Sequence, residues 1–240
     1  MTVVDLTQVG AAPARNASGH WQVYFGVYLP GITFPKGYRV QVRVIHGRDQ
    51  FVRGIEPKAF DLSWHEGSAL DYWDATVDVA ANADGNFGQE GTYLYRFQLL
   101  RGPRVVTFWF SDPFGRGAGR GGLSAFTVDS NPQPFVWGDE GFTVPEIDDQ
   151  VVYELHVGEF NGTFDGVVAQ LDYLEGLGVN VLELLPVTDV KEDVEWGYTP
   201  LGYFAPDERY GGPAAMKRLV DQCHQRGMAV ILDAVYAHAH

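Results

Sequence analysis

The chain has 240 residues, with 17 basic and 31 acidic side chains and a formal net charge of −14 at neutral pH. Forty-five per cent apolar and 20% charged residues suit a folded chain, while the acidic balance excludes nucleic acid and anionic membranes as expected partners, since attraction to phosphate would have the wrong sign. Cys223 is the single cysteine, which rules out an intrachain disulfide.

The opening MTVVDLTQVGAAPARNASG has neither the basic nor the apolar region of a leader, and no run of about 18 apolar residues occurs. A cytoplasmic chain is expected, with residues 1–19 as an N-terminal tail. Residues 1–128 hold 12 basic and 11 acidic side chains, whereas residues 129–240 hold 5 and 20, so the two parts differ in composition.

Residues 20–128 read as β. Trp21–Leu29, Tyr38–His46, Tyr72–Ala80, Thr92–Leu100 and Val105–Phe110 alternate apolar with polar residues and are rich in β-branched and aromatic side chains. Turn-forming stretches such as PGITFPKG and NADGNFGQEG separate them, which predicts an antiparallel sandwich with no helix of any length. Residues 129–150 carry Pro132, Pro134 and Pro145 and read as an ordered linker.

From Val151 the period changes. VVYELHV is a short strand, and Thr163 can cap a helix whose apolar positions run from Phe164 to Leu177, with Gly178 as its stop. Asn180–Pro186 is a second strand, a loop of about 26 residues follows, Pro213 to Gly227 brackets a second helix, and Met228–Val235 is a third strand. Apolar strands alternating with helices predict a parallel sheet.

Such a sheet carries its chemistry at the carboxyl ends of its strands. Those ends hold His156 and Glu159, the loop Val187–Gly212, and Asp233 with His238 and His240. The loop sets Trp196, Tyr198, Tyr203 and Phe204 within nine residues, followed by Tyr210. Rings that also offer a hydroxyl or N–H suit the mixed C–H and hydroxyl faces of sugars, although packing of the loop onto its own fold explains such rings equally well. His156 reads as a satisfied core histidine, Cys223 as a buried thiol, and Asp189, Glu192, Asp193 and Glu195 as a solvated loop.

VVYELHVGEF, GLGVNVLELLP, WGYTPLGYFAPDERYG and VILDAVYAHAH, in this order over about 90 residues, resemble landmarks of the α-amylase superfamily, glycoside hydrolase family thirteen. The resemblance implies an all-β immunoglobulin-like sandwich followed by the first three β/α units of a (β/α)8 TIM barrel over residues 151–240. It also implies activity on α-1,4-glucan or malto-oligosaccharide. Asp233 would support the catalytic centre, His238 would hydrogen-bond the sugar, Tyr198 would stack beneath it and Trp196 would join the binding surface.

Ala237 stands where many α-amylases have a calcium-holding asparagine, and its methyl offers no oxygen donor, so neither calcium nor another cofactor is expected. An Ala-His ending resembles α-glucan branching enzymes. Ser111-Asp112-Pro113-Phe114 resembles a recurrent segment of the sandwich that precedes such barrels, where glucan binding by Trp21, Trp64, Trp73 or Trp109 is weighed against a core role for most of them.

In the family the nucleophilic Asp and the acid Glu follow the fourth and fifth strands. The resemblance therefore implies a piece without them, inactive alone and inclined to self-associate. Two other readings stay open: a non-catalytic glucan-binding or assembly module, and a metal-dependent barrel hydrolase using His238 and His240.

Overall fold

A computed structural model describes residues 5–68, 70–191 and 196–237. The chain is mostly β-sheet with few helices and divides into two compact units: residues 1–119 with 123–132, and residues 120–122 with 133–240. Among the described residues no helix is long and apolar enough to cross a membrane.

The first unit holds two antiparallel sheets. One runs β1 (Gly10–Arg15), β2 (Trp21–Tyr28), β6 (Tyr72–Asp78), β5 (Ser63–Trp64). The other runs β4 (Lys58–Asp61), β3 (Tyr38–His46), β7 (Gly91–Arg101), β10 (Leu123–Val128), β9 (Ala118–Gly119), with β8 (Arg104–Phe110) also on β7. Period-two alternation sends Val40, Val42 and Val44 of β3 and Tyr93, Tyr95 and Phe97 of β7 into one core with Val23, Phe25 and Val27 of β2. Phe25 meets Tyr95 edge to face at 5.2 Å, and Tyr93 stacks on Phe126 at 5.2 Å.

The expected tail over residues 1–19 is corrected, because it contains β1, whose Pro13 lies opposite Val23. Small residues and a proline hide this strand from a propensity argument. A proline is tolerated because β1 is a sheet edge, where a missing donor breaks no ladder. Of the tryptophans, only Trp73 is fully buried, donating its Nε1–H to the Ile32 carbonyl at 2.9 Å; Trp21, Trp64 and Trp109 are half-buried.

Asp112, in the Ser-Asp-Pro-Phe segment, is 2% exposed. It accepts the Tyr95 hydroxyl at 2.7 Å and the Phe114 N–H at 2.8 Å, and burial pushes its carboxyl up to about 6.

The second unit is built on three parallel strands in the order β11 (Val152–Leu155), β12 (Val181–Leu184), β13 (Ala229–Leu232). Their register is level: Val152, Val181 and Ala229 share one row, and Leu155, Leu184 and Leu232 another. Leu155, Leu182 and Leu184 pack against Phe164, Val167, Leu171, Leu174 and Leu219, forming a separate core.

The single helix expected from Thr163 is two: α2 (Phe164–Val168), capped by the Thr163 hydroxyl, and α3 (Leu171–Gly176). Between them Gln170 donates to the Val167 carbonyl at 2.9 Å, a tighter i to i−3 turn, so the apolar stripe stays on the core while the axis breaks. The first strand is also shorter than expected. Val157 opens α1 (Val157–Asn161), because the His156 imidazole caps it. Helix α4 spans Gly212–His224 with Pro213 in its first turn.

The stretch 133–150 belongs to this unit rather than hanging free. Gly138 donates its N–H to Asp221 of α4 at 2.5 Å, His224 Nδ1 lies 2.7 Å from Asp139, and Phe142 stacks on His224 at 4.1 Å.

Candidate active site

Each parallel strand delivers a polar segment at its carboxyl end. Asp233 is the first residue past β13, and its N–H is fixed on the Leu184 carbonyl at 2.9 Å. Its Oδ2 accepts the Tyr198 hydroxyl at 2.6 Å. That bond to Asp233, then burial, with Glu154 and Glu183 nearby, push the Tyr198 phenol up to about 12, so Tyr198 stays a neutral donor at any ordinary pH.

Trp196 and Tyr198 reach this position through an unusual turn. Trp196 has φ of 51° and Gly197 φ of 91°, two successive left-handed residues. A Cβ on Gly197 would lie 2.3 Å from the Pro186 carbonyl oxygen, so only glycine lets the loop press against the end of β12. Trp196 donates its indole N–H to Glu159 Oε1 at 2.8 Å while remaining 52% exposed. The ring is thus oriented by one edge and open on its face.

His156 is half-buried and satisfied on both nitrogens. Nδ1 accepts the Glu159 N–H at 3.1 Å and Nε2 lies 3.1 Å from the Tyr210 hydroxyl. Because Nδ1 accepts, the neutral imidazole carries its proton on Nε2 and donates to Tyr210, which identifies His156 as a structural bracket. Tyr210 is buried, whereas Tyr203 pairs with the exposed Tyr236 at 5.7 Å and Phe204 is exposed. The loop therefore presents rings to solvent and does not bury them all in its own fold.

Of the residues singled out by sequence, Asp233 and Tyr198 are brought into contact, Trp196 is tied to Glu159, and His238 and His240 lie outside the described residues, as do Glu192, Asp193 and Glu195. The solvated role expected for Asp189 is corrected. Asp189 is 7% exposed and paired through its backbone with Leu201 and Ala205, and burial first, then Asp207 and Glu208, push its carboxyl up to about 7. Asp207 is held in turn by Arg209 Nε at 2.9 and 3.1 Å.

Sequence reasoning passed over Glu154 and Glu183. They are register partners on neighbouring strands, on the face of the sheet opposite the leucine core and near Tyr198. Their signal was the single acidic residue interrupting each apolar run. Among the described residues no group of three or more His, Cys, Asp or Glu is arranged to hold a metal ion. Cys223 is fully buried, and burial raises its thiol to about 12.

The chain is 35% identical over 199 residues to a malto-oligosyltrehalose trehalohydrolase of Rhizobium sp. (strain M-11), an alignment covering 82% of this chain and 30% of that protein. It is 36% identical over 158 residues to a 1,4-alpha-glucan branching enzyme of Xanthomonas oryzae pv. oryzae, covering 60% of this chain and 21% of that one. Among solved structures, the catalytic module of a multi-modular glycogen-degrading pneumococcal virulence factor superposes with a TM-score of 0.68 at 25% identity, covering 98% of this chain and 38% of that one. The chain thus spans less than a third of the length of either curated relative. A family model described as the alpha amylase catalytic domain matches residues 108–240, more than half of the chain, and the chain belongs to that family.

Proposed function

We propose that this chain supplies the substrate-side part of an α-glucan-active glycosidase or glucanotransferase. The observation that carries the reading is the Tyr198–Asp233 hydrogen bond at 2.6 Å, set at the end of a parallel strand among rings open to solvent. In this reading Tyr198 is the platform beneath the sugar at the bond being cleaved, and Asp233 supports the catalytic centre. Trp196 extends the apolar surface, and His238 adds a hydrogen bond. The first unit is read as an immunoglobulin-like domain preceding the barrel, and residues 151–240 as its first three β/α units. Ala237 offers no oxygen to a hard cation, so no calcium is assigned.

Retaining chemistry at a glycosidic bond needs a carboxylate nucleophile and a carboxylic acid about 5–5.5 Å apart. Glu159 is committed to Trp196 and Asp233 to Tyr198, and neither is assigned those roles. The isolated 240-residue chain is accordingly read as inactive.

Hydrolysis is favoured over branching because the similarity to the trehalohydrolase extends over 82% of the chain, against 60% for the branching enzyme. Product analysis of the full-length protein tests this. Trehalose released from malto-oligosyltrehalose supports hydrolysis, new α-1,6 linkages in amylose support transfer, and no action on either glucan overturns the proposal.

A further inference from the structure

The outward face of the larger antiparallel sheet carries an arginine pair that shares one nearby carboxylate, Glu56. Arg43 of β3 stands directly opposite Arg96 of β7. Because Val42, Val44, Tyr95 and Phe97 point into the core, both guanidinium groups point away from it. Like charges facing each other across a ladder are destabilising, as is a buried donor without an acceptor. Arg43 has both problems, since its Nε is buried with no hydrogen-bond partner among the described residues.

Arg96 is held in place by aromatic faces, its guanidinium carbon lying 5.7 Å from the Phe108 ring and 5.4 Å from the Trp109 ring. Burial and the neighbouring Arg43 both oppose its charge. The pair opens into a cavity of about 520 Å³ whose described lining sets three arginines, Arg43, Arg53 and Arg96, against one carboxylate, Glu56. Phe51, Val52 and Ile55 give this cavity an exposed apolar rim. A cationic cavity in a chain of net charge −14 is a local exception to the whole.

We infer that this cavity binds a phosphate monoester carried on a sugar, its oxyanion between Arg43 and Arg96 and its ring against Phe51, Val52 and Ile55. Two guanidinium forks match the near-double negative charge and several acceptor oxygens of a monoester. The volume lies within the range of small-molecule sites and leaves room for a sugar beside the phosphate. The assignment is independent of the reading of Tyr198 and Asp233, which lie in the other unit.

The test is calorimetric titration of the 240-residue chain with glucose 6-phosphate, a phosphorylated maltodextrin, glucose and inorganic phosphate. We expect saturable binding of both esters, about tenfold or more tighter than of glucose or inorganic phosphate. Arg43→Gln should weaken it by a further factor of about ten, the loss of one charge-assisted hydrogen bond. Glu56→Gln, a surface change that keeps the fold, should tighten it. Tighter binding of the maltodextrin assigns the phosphate to a glucan; equal or weaker binding assigns it to a free sugar ester. Absence of saturable ester binding, equal affinity for inorganic phosphate, ester affinity unchanged in a folded Arg43→Gln protein, or weakening by Glu56→Gln would each overturn the assignment.

Discussion

The hydroxyl of Tyr198 and the carboxylate of Asp233, 35 residues apart, are joined by a 2.6 Å hydrogen bond that fixes a loop residue to the end of a strand. The phenol keeps its proton because ionising it would place two negative charges at bonding distance.

In the full-length protein, Tyr198→Phe keeps the ring and removes the donor, while Tyr198→Ala removes both. Loss of one hydrogen bond to a charged group is worth about 1.5–3 kcal/mol, so Tyr198→Phe should lower kcat/KM on malto-oligosaccharides by about tenfold or somewhat more. Tyr198→Ala should lower it by about a hundredfold or more, since the stacking face goes too. Steady-state kinetics decide, and equal rates in all three proteins would refute the platform role.

Gly197→Ala should destabilise the second unit. Its φ of 91° and a Cβ site 2.3 Å from the Pro186 oxygen leave the substituted loop no option but to lift from the end of β12. The expected loss is about 2–3 kcal/mol in chemical unfolding, together with quenched or shifted fluorescence from the neighbouring Trp196.

Stability should fall as pH rises from about 4 to about 7. Asp112 and Asp189 both have carboxyls raised by burial, to about 6 and about 7, above the ordinary 3.8. The folded state therefore binds more protons than the unfolded one across this window, and the stabilisation present below pH 4 is lost as each folded group ionises. For Asp112 the swing is roughly 3 kcal/mol. Urea unfolding of the natural chain and of Asp112→Asn at pH 4, 5, 6 and 7 isolates it. The difference between the two should vary up to pH 6 and then level, and a constant difference would refute the assignment.

Asp221→Ala should release residues 133–142 from α4 while leaving the helix folded. Asp221 Oδ1 accepts the Gly138 N–H and its Oδ2 accepts Gln225, and Phe142 rests on His224 one turn further along. Hydrogen exchange should show protection lost at Gly138 and its neighbours, with a global change of about 1–3 kcal/mol.

Strands of clear alternation were legible in the sequence. β3 was expected and found at Tyr38–His46, and the parallel strands and α4 lay where apolar runs and the Pro and Gly signals put them. Motif order singled out Asp233 and Tyr198, and the fold joins these two by a hydrogen bond, a neighbour relation that composition does not carry. Other features depend on partners rather than on local pattern. Pro13 is acceptable only because β1 is an edge, and the break between α2 and α3 keeps the same apolar positions on the core. The burial of Asp189 arises from backbone pairing with Ala205 and Leu201, while its sequence neighbourhood reads as a charged loop. The Glu154–Glu183 and Arg43–Arg96 pairs are properties of register, which no single strand reveals.

The level register of the three parallel strands sets a tolerance for insertions and deletions. With Leu155, Leu184 and Leu232 in one row, His156, Leu185 and Asp233 all start from the same height. Deleting one residue within β13 would move Asp233 by about 3.3 Å and turn its side chain to the other face, severing it from Tyr198. Residues added to the loop next to the exposed Lys191, beyond the paired Asp189 and Val190, would leave both anchors of that bond where they are. Length variation among relatives should therefore collect in this loop and be absent from the four-residue strands beneath it.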